Sequence, residues 1–324
     1  MARFIGIDTS CYTTSVAIFD SQEGIVTEER LLLCVKEGHR GLAQSEMVYQ
    51  HVRNLPYLFD KIKNEMHSIQ GIGVSAFPRR RADSYMPAFL VGKGAAEILT
   101  MAYHVPIFYF SHQENHALAA MINAPHLWLQ PFYMMHLSGG TQDILSVTWQ
   151  QNVMNISELM TSIDITAGQL IDRVGVKLGL PFPAGKHLEQ LAKNSTFPCI
   201  FPVAKIKNAF SFSGVETSIQ NTILKQEAAP ADIAKGVLVC IAEALKKQLL
   251  AYRFEKSRTL IAIGGVMANT YLRNVITEIC KEKDLNLLLA DNQYSSDNAT
   301  GNAFGAYMQL KNSNIHIELS LIHI

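Results

Sequence analysis

No excess of one charge marks this chain: Lys and Arg number 28, and so do Asp and Glu. A molecule-wide field drawing it to nucleic acid is therefore missing, and any such binding must use a local patch. Cysteine is scarce. The five, Cys11, Cys34, Cys199, Cys240 and Cys280, are scattered and lack C-x-x-C spacing, which argues against a disulfide framework or a zinc ribbon and suits a reducing compartment. Nowhere do apolar residues run for the length of a membrane span, and no basic segment followed by an apolar stretch opens the sequence. These absences predict a cytoplasmic chain with no membrane partner. What the sequence has in quantity is apolar surface, 48% of 324 residues, enough for two ordinary domains or one domain of two similar halves.

Residues 3 to 20 read as an apolar strand, a polar turn and a second strand rich in β-branched residues. The pattern returns at 132 to 148, where Phe-Tyr-Met-Met-His-Leu precedes the polar turn Ser138 to Asp143 and then Ile-Leu-Ser-Val-Thr. Two such hairpins suggest a duplicated fold. Between them the spacing predicts a helix near 43 to 66, a buried strand at 72 to 76, a helix over 87 to 103 and a strand at 105 to 110. After the second hairpin, a mostly helical region spans 157 to 253. Its clearest piece is 230 to 253, where Ile233, Val237, Ile241, Leu245 and Leu249 recur every four residues. A buried strand at 259 to 263 runs into Gly264 and Gly265 and a helix bearing Asn269, an arrangement that lets backbone approach a nucleotide. A strand at 285 to 290 and a small-residue helix at 298 to 310 complete the pattern.

The sharpest local signal is His112-Gln-Glu-Asn-His116. Histidines four apart share one helix face and can hold a metal between them. A bare pair more often marks solvated or hydrogen-bonded core residues, so the reading leans on Asp297-Asn298 before the small-residue helix. Zinc proteases display a similar pair, but they need Glu directly after the first His. Here Gln113 takes that place, and Glu114 lies about 200° around the helix from His112.

Taken together, Gly-Ile-Asp-Thr-Ser-Cys at 6 to 11, the His pair, Leu-Ser-Gly-Gly-Thr at 137 to 141, Ser162 to Gly168 with Asp172, Leu-Gly-Leu-Pro-Phe-Pro-Ala-Gly185, Gly264 to Asn269 with Leu272 and Arg273, and Ser296-Asp297-Asn298 resemble the tRNA threonylcarbamoyladenosine transferase family, TsaD, formerly called O-sialoglycoprotein endopeptidase or glycoprotease. The resemblance covers about residues 3 to 310. It implies an α/β fold of two actin-like (ASKHA, RNase H-like) lobes, with mixed sheets flanked by helices and a nucleotide and metal cleft between them. The lobes are expected at 1 to 120 and 121 to 324, the second with a helical insertion at about 157 to 230.

By the same resemblance His112, His116 and Asp297 would ligate one divalent metal, iron or zinc. Asp8, Ser138, Gly139, Gly140, Thr141, Asp172, Gly185, Gly264, Gly265 and Asn269 would face an adenine nucleotide, threonylcarbamoyl-AMP or ATP. The implied activity is transfer of a threonylcarbamoyl group to the adenosine next to the anticodon of tRNA, an acyltransferase reaction. The implied partners are tRNA and the adenylate-forming and accessory subunits of a modification complex.

Several places depart from the family pattern. Tyr12 and Thr13 replace an acidic pair, Asp8 stands for a Glu, and the second turn reads Ser-Gly-Gly-Thr-Gln-Asp rather than Ser-Gly-Gly-His-Thr-Gln. At 44 to 53 the family's Pro-Glu-Leu-Ala-Ser-Arg run survives only in part. A glycine-rich loop is replaced at 76 to 87 by a segment carrying Arg79, Arg80 and Arg81 between Pro78 and Pro87. Guanidinium forks there suit an anionic substrate or tRNA, to which Arg53 also offers itself; a salt bridge to Asp83 in a solvated loop is the other reading. The departures leave two alternatives: a paralogue acting as a carbamoyl-type transferase or nucleotide hydrolase on a small molecule, and a non-catalytic nucleotide-binding regulator.

Overall fold

Apolar and β-branched residues fill Arg3–Asp8 (β1) and Thr13–Asp20 (β2), and both strands are buried along their whole length, as strands covered on both faces must be. The computed structural model describes residues 1–321 apart from 11, 36–41, 82, 83, 205 and 292–296, with side chains described as far as 313. Cys11, Asp83 and Ser296 of the sequence reading lie outside the described residues. β1 and β2 pair antiparallel with Ile5 opposite Ile18 and Asp8 opposite Ser15. Gly24–Leu32 (β3) extends the meander, and Ile69–Phe77 (β4) and Ile107–Ser111 (β5) join parallel on the other side, giving the order β3-β2-β1-β4-β5.

Period-two alternation then sorts β1 between two covers. Ile5 and Ile7 join Val16 and Ile18 in a core completed by Leu55, Leu58 and Ile62 of Gln44–Ile62 (α1) and Ala96 of Pro87–Tyr103 (α2). Phe4, Gly6 and Asp8 point the other way. There Thr300–Leu321 (α9) crosses the sheet, with Phe4 against Tyr307 and Phe19 against Phe304, ring centroids 5.5 Å apart in each case. Asp8, last in its strand, therefore faces the start of α9 and of the short helix His112–Met121 (α3).

The second hairpin forms as the first does. Phe132–Leu137 (β6) pairs antiparallel with Gln142–Gln150 (β7), and β7 with Val153–Ser162 (β8). Ala209–Phe210 (β9) lies beyond β8, while Thr259–Ile263 (β10) and Asn286–Leu289 (β11) add parallel strands. The order β8-β7-β6-β10-β11 repeats that of the first sheet, with β9 appended. The duplication read from the hairpins thus extends to the whole sheet. Ala167–Lys177 (α4), Gly185–Ala192 (α5), Ser213–Leu224 (α6), Pro230–Ala251 (α7) and Thr270–Glu282 (α8) supply the helices. All five residues of the four-residue repeat on α7 are buried in one core cluster. Each such side chain contributes about 1.5–3 kcal/mol on burial.

Two expectations need correction. The compact units are Met1–Trp128 with Gln293–Ile324, and Leu129–Asn292, so α9 belongs to the first unit rather than to a lobe running from 121 to 324. The reason is the face of β1 just described, against which α9 packs. Nor is 157 to 230 wholly helical: residues 157 to 162 complete β8, and β9 precedes α6.

Candidate metal centre and ligand cavity

Helix α3 begins where β5 ends, and its start is fixed twice. Ser111 Oγ accepts from the Glu114 backbone N–H at 3.1 Å, while the Glu114 carboxylate accepts from the Ser111 N–H at 2.6 Å, a capping box. His112 is thus the first helical residue and His116 lies one turn on. Asp297 reaches both just before α9. Its Oδ1 stands 3.4 Å from His112 Nε2 and 3.3 Å from His116 Nε2, and the two Nε2 atoms are 3.1 Å apart. Backbone packing sets this proximity: a Cβ on Gly301 would meet the Asn115 carbonyl at 2.0 Å, so only glycine lets α9 approach α3 this closely.

The donor set fits a divalent cation. With bonds of about 2.1 Å, edges of 3.1 to 3.4 Å subtend angles of about 95–108° at a common centre, between octahedral and tetrahedral values. Behind it sits a second layer. Ser10 Oγ lies 2.7 Å and Asp8 Oδ2 3.3 Å from His112 Nδ1, leaving Nε2 to face the centre. Asn115, three residues after His112, donates to Asp8 Oδ2 at 2.8 Å and also to the Asn298 carbonyl. Such partners fix the ring and strengthen it as a ligand.

Charge is arranged to match. Burial opposes protonation of His112, yet the Asp8 and Asp297 carboxylates outweigh it and raise the imidazole well above its ordinary range. Burial likewise pushes Asp297 upward, but its hydrogen bonds from His112 and His116 win and hold the carboxyl well below the usual range. Positive charge is therefore favoured at this spot. One proton can bridge only two of the donor atoms, whereas a divalent cation satisfies all three.

In the second unit the matching turn is built for backbone approach. Between β6 and β7, the Ser138 N–H donates to the Thr141 carbonyl at 2.8 Å and the Ser138 hydroxyl accepts from the Thr141 N–H at 3.0 Å, while Thr166 Oγ1 donates to the Gly139 carbonyl. Gly139 and Gly140 face open space. Gly264 holds φ 110°, and a Cβ there would meet the Leu137 carbonyl at 2.1 Å, so the β10 turn can be made only by glycine. These turns border a cavity of about 610 Å³ lined by Gly139, Asp172, Gly185, Gly265 and Asn269, a volume suited to a nucleoside-sized ligand. Asp172 Oδ1 accepts from the Ala184 N–H at 2.7 Å, and Asn269 Oδ1 caps α8 at the Leu272 N–H, 3.0 Å.

Five of the ten residues expected at the nucleotide line this cavity. Ser138, Gly140, Thr141 and Gly264 shape the turns beside it. Asp8 is placed differently, against His112 and Asn115 in the first unit. Lys186, His187 and Glu189 also line the cavity and were not foreseen, although they follow Gly185 in the first turns of α5. Ser10 and Asn115 were missed as well; their signals are the two-residue step from Asp8 and the i, i+3 step from His112.

Two sequence departures turn inward rather than toward a ligand. Asp143 is buried on β7 and accepts from Thr161 Oγ1 at 2.6 Å. The Arg80 fork grips Glu114, with Nε to Oε1 and Nη2 to Oε2 both 3.0 Å. The Glu114 carboxylate is thus committed to Arg80 and to the Ser111 N–H.

The sequence matches the family model of TsaD, tRNA N6-adenosine threonylcarbamoyltransferase, over residues 45–304. The chain belongs to the TsaD family. It is similar to the tRNA N6-adenosine threonylcarbamoyltransferase of Thermosipho melanesiensis, 30% identical over 314 residues, covering 94% of this chain and 93% of that protein. The Thermosipho africanus protein of the same name is 29% identical over 320 residues, covering 95% of this chain and 94% of its own length. TsaD members are transferases forming N6-threonylcarbamoyladenine in tRNA, so the chain is an enzyme of acyltransferase type. Among solved structures it resembles the activator of 2-hydroxyisocaproyl-CoA dehydratase from Clostridium difficile (TM-score 0.56, 16% identity, 97% of each chain). It also resembles the ROK family glucokinase of Streptomyces griseus (TM-score 0.53, 12% identity, 94% of this chain and 99% of that one). At such identities the likeness speaks to fold, and the fold is the actin-like ASKHA type. No helix among the described residues is long and apolar enough to cross a membrane.

Proposed function

We propose that this TsaD-family chain moves the threonylcarbamoyl group of threonylcarbamoyl-AMP to N6 of the adenosine beside the anticodon of tRNA, with AMP as leaving group. The observation that carries the reading is the convergence of His112, His116 and Asp297 within a chain of this family. The cavity of the second unit suits the nucleoside end of the donor. Gly139 and Gly265 allow backbone N–H groups near phosphate, and Asp172, with one oxygen on Ala184, keeps acceptor capacity for a ribose hydroxyl. Glu189 and Asn269 add polar contacts. In the first unit, His112, His116 and Asp297 would hold iron or zinc, with Asp8 and Ser10 fixing the His112 ring. The bound ion would supply Lewis-acid polarisation of the carbamoyl carbonyl. Orientation of donor and acceptor supplies much of the remainder.

The acceptor tRNA would meet local basic patches rather than a general field, with Arg53 a candidate on α1 and Arg80 removed from the set by its pairing with Glu114. Partner subunits that make the adenylate belong to the same reading. The test is transfer of labelled threonylcarbamoyl from its adenylate to unmodified tRNA by this chain, with metal supplied and partner subunits present or omitted. Label on the tRNA supports the proposal. Absence of label from folded, metallated protein that binds the nucleotide overturns it, and points to a small-molecule acceptor if the nucleotide still turns over.

A further inference from the structure

The arginine run at 79 to 81 follows β4, and its middle member is tied into the helix that carries both histidines. We propose that Arg80 is a positioning residue for the metal centre, acting through Glu114 on the first turn of α3. The inference rests on the metal reading above.

Four contacts hold Arg80 in place. Its fork meets both oxygens of Glu114 at 3.0 Å, Nη2 also donates to the Tyr109 carbonyl of β5 at 3.0 Å, and the guanidinium lies 5.2 Å from the centroid of the Phe77 ring at the end of β4. One planar side chain thus joins β4, β5 and α3. A second tie runs beside it, from the Gln113 N–H to the Pro78 carbonyl at 3.4 Å.

Glu114 is the link that makes this matter. Its side chain is only 3% exposed, and its Oε2 is shared between the Arg80 fork and the Ser111 N–H. Ser111 immediately precedes His112. A buried carboxylate that loses its cation must rotate, take up a proton or draw in water, and each of these weakens or loosens its hold on the Ser111 N–H, the bond that fixes where α3 begins. His112, first residue of the helix, has no earlier turn to steady it. Lysine is a poor substitute, because one ammonium cannot engage both oxygens and the Tyr109 carbonyl in a single plane.

The test uses full-length protein stripped of metal and titrated with cobalt(II), read by its visible absorption and by competition with a chromophoric chelator. Wild type, Arg80→Met, Arg80→Lys and Arg80→Met/Glu114→Gln are compared well below their melting temperatures. Wild type should bind one cobalt per chain. Arg80→Met should bind it about 10-fold or more weakly, in the range seen when outer partners of metal ligands are lost, with an altered absorption envelope. Arg80→Lys should fall between the two. The double variant, freed of an unpaired buried charge and still able to close the capping box through Gln, should regain part of the affinity lost in Arg80→Met, tying the loss to the cap on Ser111. No recovery in a double variant of restored thermal stability overturns that link.

Folded Arg80→Met with affinity within about twofold of wild type, where losses of 10-fold or more are expected, overturns the proposal; should that variant not fold, the same result for Arg80→Lys overturns it. Wild type that binds no cobalt overturns instead the metal reading on which the inference stands.

Discussion

The two units carry the same five-strand order and put opposite chemistry at corresponding turns. After β1 the polar side chains turn inward: Asp8, Ser10, Asn115 and His116 are all buried and joined through His112 and Asp297. After β6 the turn keeps glycines facing open space, next to a cavity to which Gly139, Gly168, Gly185 and Gly265 all contribute. A divalent cation of the iron or zinc kind needs several side-chain donors held at fixed distances, which demands burial and a supporting layer. A nucleotide needs backbone N–H groups within reach of phosphate, which demands that side chains be absent. The two units share one strand order, and residue choice at the strand ends gives them two different kinds of site.

The largest effect expected from breaking this division comes from His112→Ala. Loss of one of three donors should weaken metal binding by more than the roughly 10–100-fold that follows loss of an outer partner. Binding of a fluorescent adenine nucleotide to the second unit should stay unchanged when measured on the same preparation. A variant that keeps its full metal content would show that His112 is not a ligand.

Asp8→Asn comes next and sharpens the comparison at the residue where sequence and structure disagree most. The amide keeps the shape but removes the carboxylate behind His112 Nδ1, so metal affinity should fall about 10–100-fold with nucleotide affinity intact. A shift in nucleotide affinity without one in metal affinity would return Asp8 to the nucleotide, where the family pattern put it.

That disagreement shows what was legible. The convergence of His112, His116 and Asp297 could be read because an i, i+4 pair encodes its own proximity and the Asp297 motif brings in the third side chain. The duplicated hairpins could be read because alternation and turn chemistry are local. Asp8 could not, since its neighbours depend on which face of β1 receives α9, a long-range choice no spacing between 8 and 112 reveals. For the same reason α9 was assigned to the wrong half. Arg80 pairs with Glu114, 34 residues on, a partner that no local spacing reveals. β3 was not foreseen because Glu28, Glu29 and Arg30 interrupt its apolar pattern at an only half-buried position beside β2.

On the nucleotide side, Asn269 has two duties that can be separated. Asn269→Asp keeps the α8 cap, since Asp caps as well as Asn, but places a negative charge at the cavity wall. Nucleotide affinity should drop about tenfold, roughly 1.4 kcal/mol, with little change in melting temperature. Asn269→Ala should instead lower stability by about 1 kcal/mol through loss of the cap. Unchanged nucleotide affinity in Asn269→Asp would remove Asn269 from the binding surface and leave it only the structural duty.

The smallest effect tests whether the second unit, too, uses a carboxylate as an anchor. Burial tends to raise the Asp164 pKa, but hydrogen bonds from the Ser211 and Ser213 hydroxyls and from the backbone N–H groups of Phe212 and Ser213 overcome it and lower the pKa from the ordinary 3.8 to about 2. Asp164 so ties the loop after β8 to the start of α6. A depressed folded-state pKa means stability that is fully present above the unfolded value and lost as pH falls through the folded one. Because the group is exposed, its contribution at neutral pH should be no more than about 1 kcal/mol. Asp164→Asn should therefore lower the melting temperature by about 1–2 °C at most at neutral pH. The gap should narrow as pH drops from about 4 toward 2. A gap that stays constant over that range would mean that Asp164 anchors α6 by shape alone, leaving charged anchoring to the first unit, where Asp8 and Asp297 face His112.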